Sequence, residues 1–411
     1  MKKKIFFALM AVLVCAGSFL WAGAESEGKD EVITLEFFQQ KREVVDIFDE
    51  IIARFEAENP GIRIEQNHVT DAGQVLTSRL ATDDVPALLT HWPNNTDYIT
   101  AALEGYFVDV TEDPVADGAL SGVLESIKLE NGRNYAVPIS VNTQGVFYNV
   151  ELFEEHGLEV PETWDQFIAL CEEITDMGET ALIFPDMTAW TIAQQFRMAI
   201  ALDIDGYDLI DQVQAGEADC RDSEDLKQVM NKLLDMRKYA QEDTLGTSYE
   251  QAIFEFANGR AFMFWQGIWA IPSIDKANPN LNYTMFPLPA LNDRETRVEY
   301  GVDLALVIGN KDPETVAAAK KFVAFVATPE IGQYYADIDG SPSALKGVEF
   351  KSEVSRPVVQ YVQDGKAFRN IRYKYAPGGN ARINTALQQF FVDEDMDAFL
   401  SEVNFVFGKP E

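Results

Sequence analysis

Cysteine and histidine are scarce in this chain, with only three of each among 411 residues. Only Cys171 and Cys220 lie beyond the first 24 residues, and two cysteines are too few for a disulfide framework. They form either one bridge or two buried thiols, and the apolar helix face predicted around Cys171 favours burial. The histidines (His68, His91 and His156) are far apart and lack the spacing of a metal motif, so we expect neither a metal nor another cofactor.

Basic residues are also few. The chain has 33 Lys and Arg against 67 Asp and Glu, a formal net charge of −34 at pH 7. Nucleic acids and anionic lipids are bound through clustered basic residues, so we expect neither as a partner. The acidity indicates either a solvated surface suited to a salty medium or an acidic pocket for a cationic ligand, and we favour the solvated surface.

One hydrophobic run, from Ile5 to Leu20, follows three lysines and precedes a short stretch of small residues that ends at Ala24. This pattern predicts a secretory signal peptide over residues 1–24, and therefore a periplasmic or extracellular protein. The run is shorter than the ~20 apolar residues of a membrane-spanning helix, which argues against a retained anchor. Lipoprotein anchoring through Cys15 is not expected, because Val14 is bulkier than the residue that such a site prefers.

Motifs for nucleophilic or phosphate chemistry are missing from the sequence. It contains no G-x-S-x-G elbow, no G-x-x-x-x-G-K-[ST] loop and no G-x-G-x-x-G fingerprint. Carboxylates are abundant, so a secreted glycoside hydrolase with a carboxylate pair stays open as an alternative. Because nothing in the sequence singles out such a pair, we expect a protein that is not an enzyme.

Strand and helix patterns alternate along the chain. Residues 32–38 alternate apolar and polar side chains as a strand does, residues 44–58 carry apolar side chains at helical spacing, and residues 62–66 resume a strand. Alternation of this kind predicts an α/β architecture. The roughly 387 residues after the predicted signal exceed one ordinary core and indicate two lobes.

The segment from Tyr135 to Trp164 is the most informative part of the chain. It predicts an extended stretch over residues 136–148, a short helix over residues 151–155 that ends at Gly157, and a second helix opened by residues 161–163. The order of its residues closely resembles extracellular solute-binding proteins that feed sugars to ABC importers, the family that contains maltose-binding protein. Further matches are Phe55 to Ile62, Val85 to Leu89, Gly105 to Thr111, Phe256 to Trp269, Phe286 to Pro289 and Ala317 to Phe325.

The resemblance implies a two-lobed periplasmic-binding-protein-like fold of type II. The ligand cleft lies between lobes joined by three hinge crossovers, which fall near residues 139–144, 299–302 and 340–344 of this sequence. Lobe one would contain residues 32–139 plus 302–340, and lobe two residues 143–299 plus 344–405.

The resemblance also implies a function. We expect a receptor that captures a sugar or short oligosaccharide by interlobe closure and delivers it to the permease subunits of an ABC importer. We expect it to act as a monomer. A receptor for a polyol, glycerol phosphate or another solute is an alternative, although a phosphate ligand would need clustered Arg or Lys. Incubation with oligosaccharides distinguishes the receptor from the glycoside hydrolase, because only the hydrolase would release cleavage products.

Sugars present apolar faces and a rim of hydroxyl groups, so a sugar cleft needs aromatic rings and planar polar side chains. In lobe one, Trp92 follows a predicted buried strand at the carboxyl end where α/β sheets bind ligands, and Asn94 and Asn95 flank it. In lobe two, Trp269 matches the aromatic residue of a Gly-x-Trp motif that stacks on sugar in relatives of the maltose-binding type, and Trp190 lies where such relatives supply another ring. The alternative for each tryptophan is packing within the protein.

Five further residues are candidates through the resemblance. Asn142 aligns with an acidic residue that contacts sugar in the family, and Gln144 is its neighbour. Asp303 lies at the second crossover, where it either reaches the cleft or caps a strand. Asn380 and Arg382 lie where relatives place another aromatic contact, which this sequence lacks.

Ligand is predicted to bring the lobes together as nearly rigid bodies, with backbone change confined to the three crossovers. Spin labels at exposed sites near Asp109 and Glu179 should therefore approach each other when ligand binds, while pairs within one lobe keep their distance. Asn142→Ala should weaken this closure, because a closed cleft would leave its hydrogen-bond partners unsatisfied. Unchanged interlobe distances with a tightly bound ligand would contradict the hinged mechanism.

Overall fold

The computed structural model describes residues 32–408 apart from 70, 71, 94, 293 and 377. The predicted signal peptide and the candidate Asn94 therefore lie outside the described residues. Within the described ranges, no helix combines the length and apolar character needed to cross a membrane.

The described residues form eight strands and sixteen α-helices, joined in places by short 3-10 turns. The strands are β1 (Ile33–Gln39), β2 (Ile62–His68), β3 (Leu88–His91), β4 (Ala136–Asn149), β5 (Met263–Gly267), β6 (Tyr283–Phe286), β7 (Val298–Ile308) and β8 (Ala367–Arg369). The helices are α1 (Val45–Glu58), α2 (Ala72–Leu80), α3 (Thr96–Leu103), α4 (Ser121–Ser126), α5 (Val150–His156), α6 (Trp164–Asp176), α7 (Ala189–Asp203), α8 (Gly206–Ala215), α9 (Glu224–Arg237), α10 (Tyr249–Ala257), α11 (Ile271–Ala277), α12 (Pro313–Val326), α13 (Pro329–Asp339), α14 (Arg356–Gln363), α15 (Gly379–Asp393) and α16 (Met396–Phe407).

The predicted α/β alternation is confirmed, and local chemistry explains the element boundaries. Helix α5 ends where Gly157 takes a left-handed conformation at φ 67°, which costs a glycine little. Helix α6 begins at a capping box, because the Thr163 hydroxyl accepts from the Gln166 amide and the Gln166 side chain accepts from the Thr163 amide. These caps satisfy backbone groups that a helix end leaves without partners.

The strands form one continuous sheet in the order β2-β1-β3-β7-β4-β5, with β6 paired to β4 and β8 paired to β7. Strands β1, β2 and β3 are parallel, whereas β7 is antiparallel to both β3 and β4. One half of β4 pairs with β7, and its other half pairs with β5 and β6. The long strands β4 and β7 thus extend through both lobes.

Each lobe buries its own aromatic core. In lobe one, the rings of Phe37 and Phe48 meet edge to face with centroids 5.1 Å apart. In lobe two, the rings of Phe196 and Phe399 do the same at 5.3 Å. Burial of each such side chain stabilises the fold by about 1.5–3 kcal/mol before the entropic cost of ordering it. The two cores leave the polar side chains of the central strands between the lobes.

The third crossing between the lobes comes later than the prediction of residues 340–344. Gly340 ends helix α13, but the chain then runs beside β4, where the amide of Ala344 donates to the carbonyl oxygen of Ile139 at 2.9 Å. Leu345 packs in the core of lobe one, whereas Val354 packs against the core of lobe two. The chain therefore crosses between these last two residues, because pairing with β4 holds it to lobe one beyond the helix end.

Both cysteines of the described part are buried free thiols. Burial raises the pKa of both thiols, in Cys220 to about 12, so little reactive thiolate exists near neutral pH. The sequence left open either one disulfide bridge or two buried thiols, and in the structure Cys171 and Cys220 are two buried thiols.

Candidate functional site

In lobe one, the parallel strands β1 and β3 end at the same edge of the sheet and bring their following loops together. The side chain of Gln40 donates to the carbonyl oxygen of Thr90 at 2.6 Å, and its backbone amide donates to the Thr90 hydroxyl at 2.8 Å. His91 is buried, and its Nδ1 accepts from the backbone amide of Trp92 at 2.9 Å. Burial lowers the pKa of His91, which keeps it neutral as this acceptor requires. The half-buried indole of Trp92 thus extends from a fixed backbone.

A buried ion cluster joins this edge to the hinge. The ammonium of Lys41 donates to Asp303 at 2.5 Å and to Asp339 at 2.8 Å. Burial lowers the pKa of Lys41, but the two carboxylates outweigh burial and hold the pKa well above its ordinary value. Asn142 Nδ2 donates to the second oxygen of Asp303 at 3.1 Å. The candidates Asn142 of β4 and Asp303 of β7 are therefore hydrogen-bonded to each other. With its other oxygen, Asp303 binds Lys41 and so connects these hinge strands to the loop after β1.

Three aromatic rings form a corner on lobe two. The rings of Trp190 and Tyr249 meet at 67° with centroids 5.0 Å apart, and those of Trp190 and Trp269 at 57° and 6.3 Å. The indole of Trp269 folds back over Gly267, where a Cβ atom would lie only 1.9 Å from the ring. This close approach is the physical reason for the Gly-x-Trp motif. The candidates Trp190 and Trp269 are thus brought together.

A buried polar cluster adjoins the aromatic corner. Trp190, Gln194 and Arg197 follow one another at helical spacing, so they share one face of α7. The guanidinium of Arg197 donates to Gln194, and Gln194 donates to the carboxylate of Glu299 at 2.8 Å. Glu299 also accepts from the candidate Gln144. Residues of α7, β4 and β7 therefore form one hydrogen-bonded chain beside the rings.

The pKa values of Glu299 and Arg197 in this cluster are shifted from their ordinary values. Burial raises the pKa of Glu299, although the nearby guanidinium groups of Arg197 and Arg372 oppose that rise. Burial and the positive charge of Arg372 lower the pKa of Arg197 to about 9. Groups desolvated to this degree are costly for the fold, and perturbed groups of this kind concentrate at functional sites.

Several buried polar atoms of this region have no hydrogen-bond partner among the residues that the structure describes. They include Gln144 Oε1, Arg197 Nε and Trp269 Nε1. A buried polar group without a partner costs about 1–3 kcal/mol, so these atoms are suited to receive the hydroxyl groups of a ligand. Over the same described part, no group of three or more His, Cys, Asp or Glu could hold a metal ion.

The two lobes touch at both rims of the cleft. At one rim, Arg42 pairs with Glu250, and Lys276 pairs with Asp46. Arg42 also lies over the ring of Tyr249 at 6.0 Å, which connects this rim to the aromatic corner. Burial and then the carboxylate of Glu43 raise the pKa of Tyr249 well above its ordinary value.

At the other rim, Arg372 Nη1 donates to Oδ1 of the candidate Asn95 at 2.7 Å, and Arg369 donates to the carbonyl oxygen of Ser126. The lobes are therefore in contact on both sides of the candidate site.

The last two candidates are not joined to these clusters. Arg382 is exposed, where it pairs with Glu402 and lies over the ring of Phe405 at 3.8 Å. Arg382 thus links α15 to α16, because its guanidinium contacts the carboxylate of Glu402 and the ring of Phe405 on the neighbouring helix. Asn380 is half-buried at the start of α15, and its role stays a prediction.

Sequence reasoning missed Lys41, Gln194 and Arg197. Two signals could have found them. Lys41 follows the carboxyl end of β1, as Trp92 follows that of β3, and the same edge argument applies to both. Gln194 and Arg197 lie four and seven residues after the candidate Trp190, which places them on its helix face.

A family model described as bacterial extracellular solute-binding protein matches residues 50–359. The chain belongs to this family. The Multiple sugar-binding protein of Streptococcus mutans is 32% identical over 343 residues, which cover 82% of this chain and 81% of that protein. The Melibiose/raffinose/stachyose-binding protein MelE of Bacillus subtilis is 24% identical over 342 residues, covering 81% and 79%.

Two solved structures of RafE, both 28% identical to this solute-binding protein, resemble it to different degrees. The complex with raffinose gives a TM-score of 0.82, over 92% of this chain and 99% of that one. The apo form from Streptococcus pneumoniae gives 0.71, over 92% and 97%. The better match is thus to the sugar-bound form, in agreement with the contacts at both rims.

Trp92→Ala and Trp269→Ala should each weaken ligand binding by ~1–3 kcal/mol, because each removes a large ring from the candidate site. Trp269 is only 7% exposed, so its loss should also lower the free energy of unfolding by about 3 kcal/mol or more. Calorimetry measures the binding affinity, and denaturant unfolding measures the stability.

Trp164→Ala is the matched control, since this ring packs on Phe167 at 5.4 Å, away from the site. The control should lose stability without losing affinity. Wild-type affinity in both site variants would remove the two tryptophans from the binding site.

Proposed function

We propose that the chain is the extracytoplasmic receptor of an ABC importer, and that it captures a short oligosaccharide between its lobes and delivers it to the permease. The observation that carries the proposal is the set of buried, unpartnered atoms Gln144 Oε1, Arg197 Nε and Trp269 Nε1 beside an aromatic corner. Aromatic rings stack on the apolar face of a sugar, while planar polar groups bond its hydroxyls. This combination is the usual composition of a sugar site.

The same residues favour an uncharged ligand over a phosphorylated one. The cluster contains two guanidinium groups, of the buried Arg197 and the half-buried Arg372, and one buried carboxylate, Glu299, so together these three groups carry only one net positive charge. A phosphate would bring about two negative charges into this space and also face the net negative cluster of Lys41, Asp303 and Asp339. Neutral hydroxyl groups avoid both costs.

Raffinose and its relatives are the first ligands to test. One relative is named a melibiose/raffinose/stachyose-binding protein, RafE was solved in complex with raffinose, and a third relative is called a multiple sugar-binding protein. Rings on both lobes, Trp92 on one and Trp190 with Trp269 on the other, suit a ligand with more than one sugar unit.

Closure would couple binding to transport. A sugar that bonds Gln144 and Arg197 on one side and reaches Trp92 on the other would interact more strongly with the closed form than with the open form. It would therefore shift the population toward the closed form, and the permease would recognise the surface that closure creates. The neighbouring ion cluster of Lys41 and Asp303 keeps the hinge strands fixed to lobe one during this motion.

A panel of melibiose, raffinose, stachyose, maltotriose and glycerol 3-phosphate tests the proposal by thermal shift and calorimetry. At 100 times its dissociation constant, a true ligand adds ~2.7 kcal/mol to the free energy of unfolding. We expect a neutral oligosaccharide to produce this shift, bind one to one and be recovered intact. Binding of glycerol 3-phosphate alone, or release of shorter sugars, would contradict the proposal in favour of another solute receptor or a glycoside hydrolase.

A further inference from the structure

Residues 366–374 form a short basic segment in a very acidic chain. The segment contains two lysines and two arginines and no acidic residue, whereas the chain carries a net charge of −34. Its first part is β8, which pairs in parallel with the start of β7, so it lies against a hinge strand. We call residues 366–374 the basic strap.

Both ends of the basic strap are fastened to lobe two. At one end, Lys366 lies 3.5 Å from the carboxylate of Glu295. At the other, Lys374 pairs with Asp211 and lies over the ring of Tyr207 at 5.1 Å. The hydroxyl of Tyr207 donates to the backbone carbonyl of Asn370 at 2.7 Å, which fixes the middle of the segment. Lobe two thus holds the segment at both ends and in the middle.

The two arginines of the basic strap reach the other lobe. Arg369 donates to the carbonyl oxygen of Ser126, the last residue of α4, where helix carbonyls lack partners within the helix. Arg372 Nη1 donates to Asn95 Oδ1 at 2.7 Å. Asn95 is the N-cap residue of α3, yet its side chain makes no capping bond there. Instead of capping its own helix, the Asn95 amide oxygen accepts the hydrogen bond from Arg372 of lobe two.

We propose that the basic strap is a latch that holds the closed form, with Arg369 and Arg372 as the residues that set how long a captured sugar stays bound. The contacts of both arginines with lobe one exist only when the lobes are together, so they favour the closed form. Because both ends of the basic strap are already held by lobe two, each arginine contact costs less conformational entropy. This inference rests on the proposed sugar receptor but concerns residues that set the lifetime of the closed form.

The test compares wild type with Arg369→Met/Arg372→Met, which keeps the apolar stems and removes both guanidinium groups. Stopped-flow fluorescence with raffinose measures association and dissociation rates, and spin labels on the two lobes measure the closed fraction with and without raffinose. We expect dissociation to be about tenfold faster in the variant, with association changed less than about twofold and a smaller closed fraction. Arg369→Lys/Arg372→Lys should recover part of the loss, because charge is restored without the guanidinium geometry.

Arg260→Met is the matched control, since Arg260 pairs with Glu255 within lobe two at 2.9 Å and should leave both rates unchanged. The single variant Arg369→Met, at an exposed position outside the buried polar cluster, separates the latch from the effect of Arg372 on Glu299 and Arg197, and it also tests the latch if the double variant unfolds. Wild-type dissociation rates and closed fractions in the strap variants would overturn the latch while leaving the receptor intact. If wild type binds no sugar of the panel, the proposed function fails, and the latch is judged by the ligand-free distances alone. Identical distances in wild type and variant would then overturn the latch as well.

Discussion

The antiparallel pairing of β4 with β7 is the constraint on which the binding region depends. Both strands pass through the two lobes, and their register shifts near Ser140, where the ladder is irregular. Successive side chains of a strand point to opposite faces, so Asn142 and Gln144 share one face of β4, and Glu299 and Asp303 share one face of β7. Four polar side chains are thereby fixed between the lobes, two of them on each strand.

The region carries more buried charge than the stability of the fold requires. Lys41 with two aspartates and Glu299 with two arginines are each costly to desolvate, and apolar residues of similar volume would often be as stable. Apolar substitutes would offer no directed hydrogen bonds to a ligand, however. The ion cluster positions the hinge, and the polar cluster leaves Gln144 and Arg197 with bonding capacity for a ligand.

The sequence predicted local elements well because their signals are local. Gly157 and Thr163 mark helix ends through backbone conformation and capping, which depend on a few neighbouring residues. Trp190 and Trp269 were predicted through a resemblance, and the structure brings them together from α7 and a turn 79 residues later. The roles of Arg372 and Arg382 could not be predicted, because each depends on which distant partner the fold supplies, Asn95 for one and Glu402 for the other.

Hydrogen exchange with and without bound raffinose tests the central claim most directly, because it reports each segment of the whole protein separately. A ligand held between the lobes should slow exchange in β4 around Gln144 and at the start of α7 near Trp190. It should also slow exchange in lobe one, in the loop that contains Trp92 and Asn95. Slower exchange in both lobes is the result that the account predicts. Slower exchange confined to one lobe, or to a surface away from β4 and β7, would contradict it.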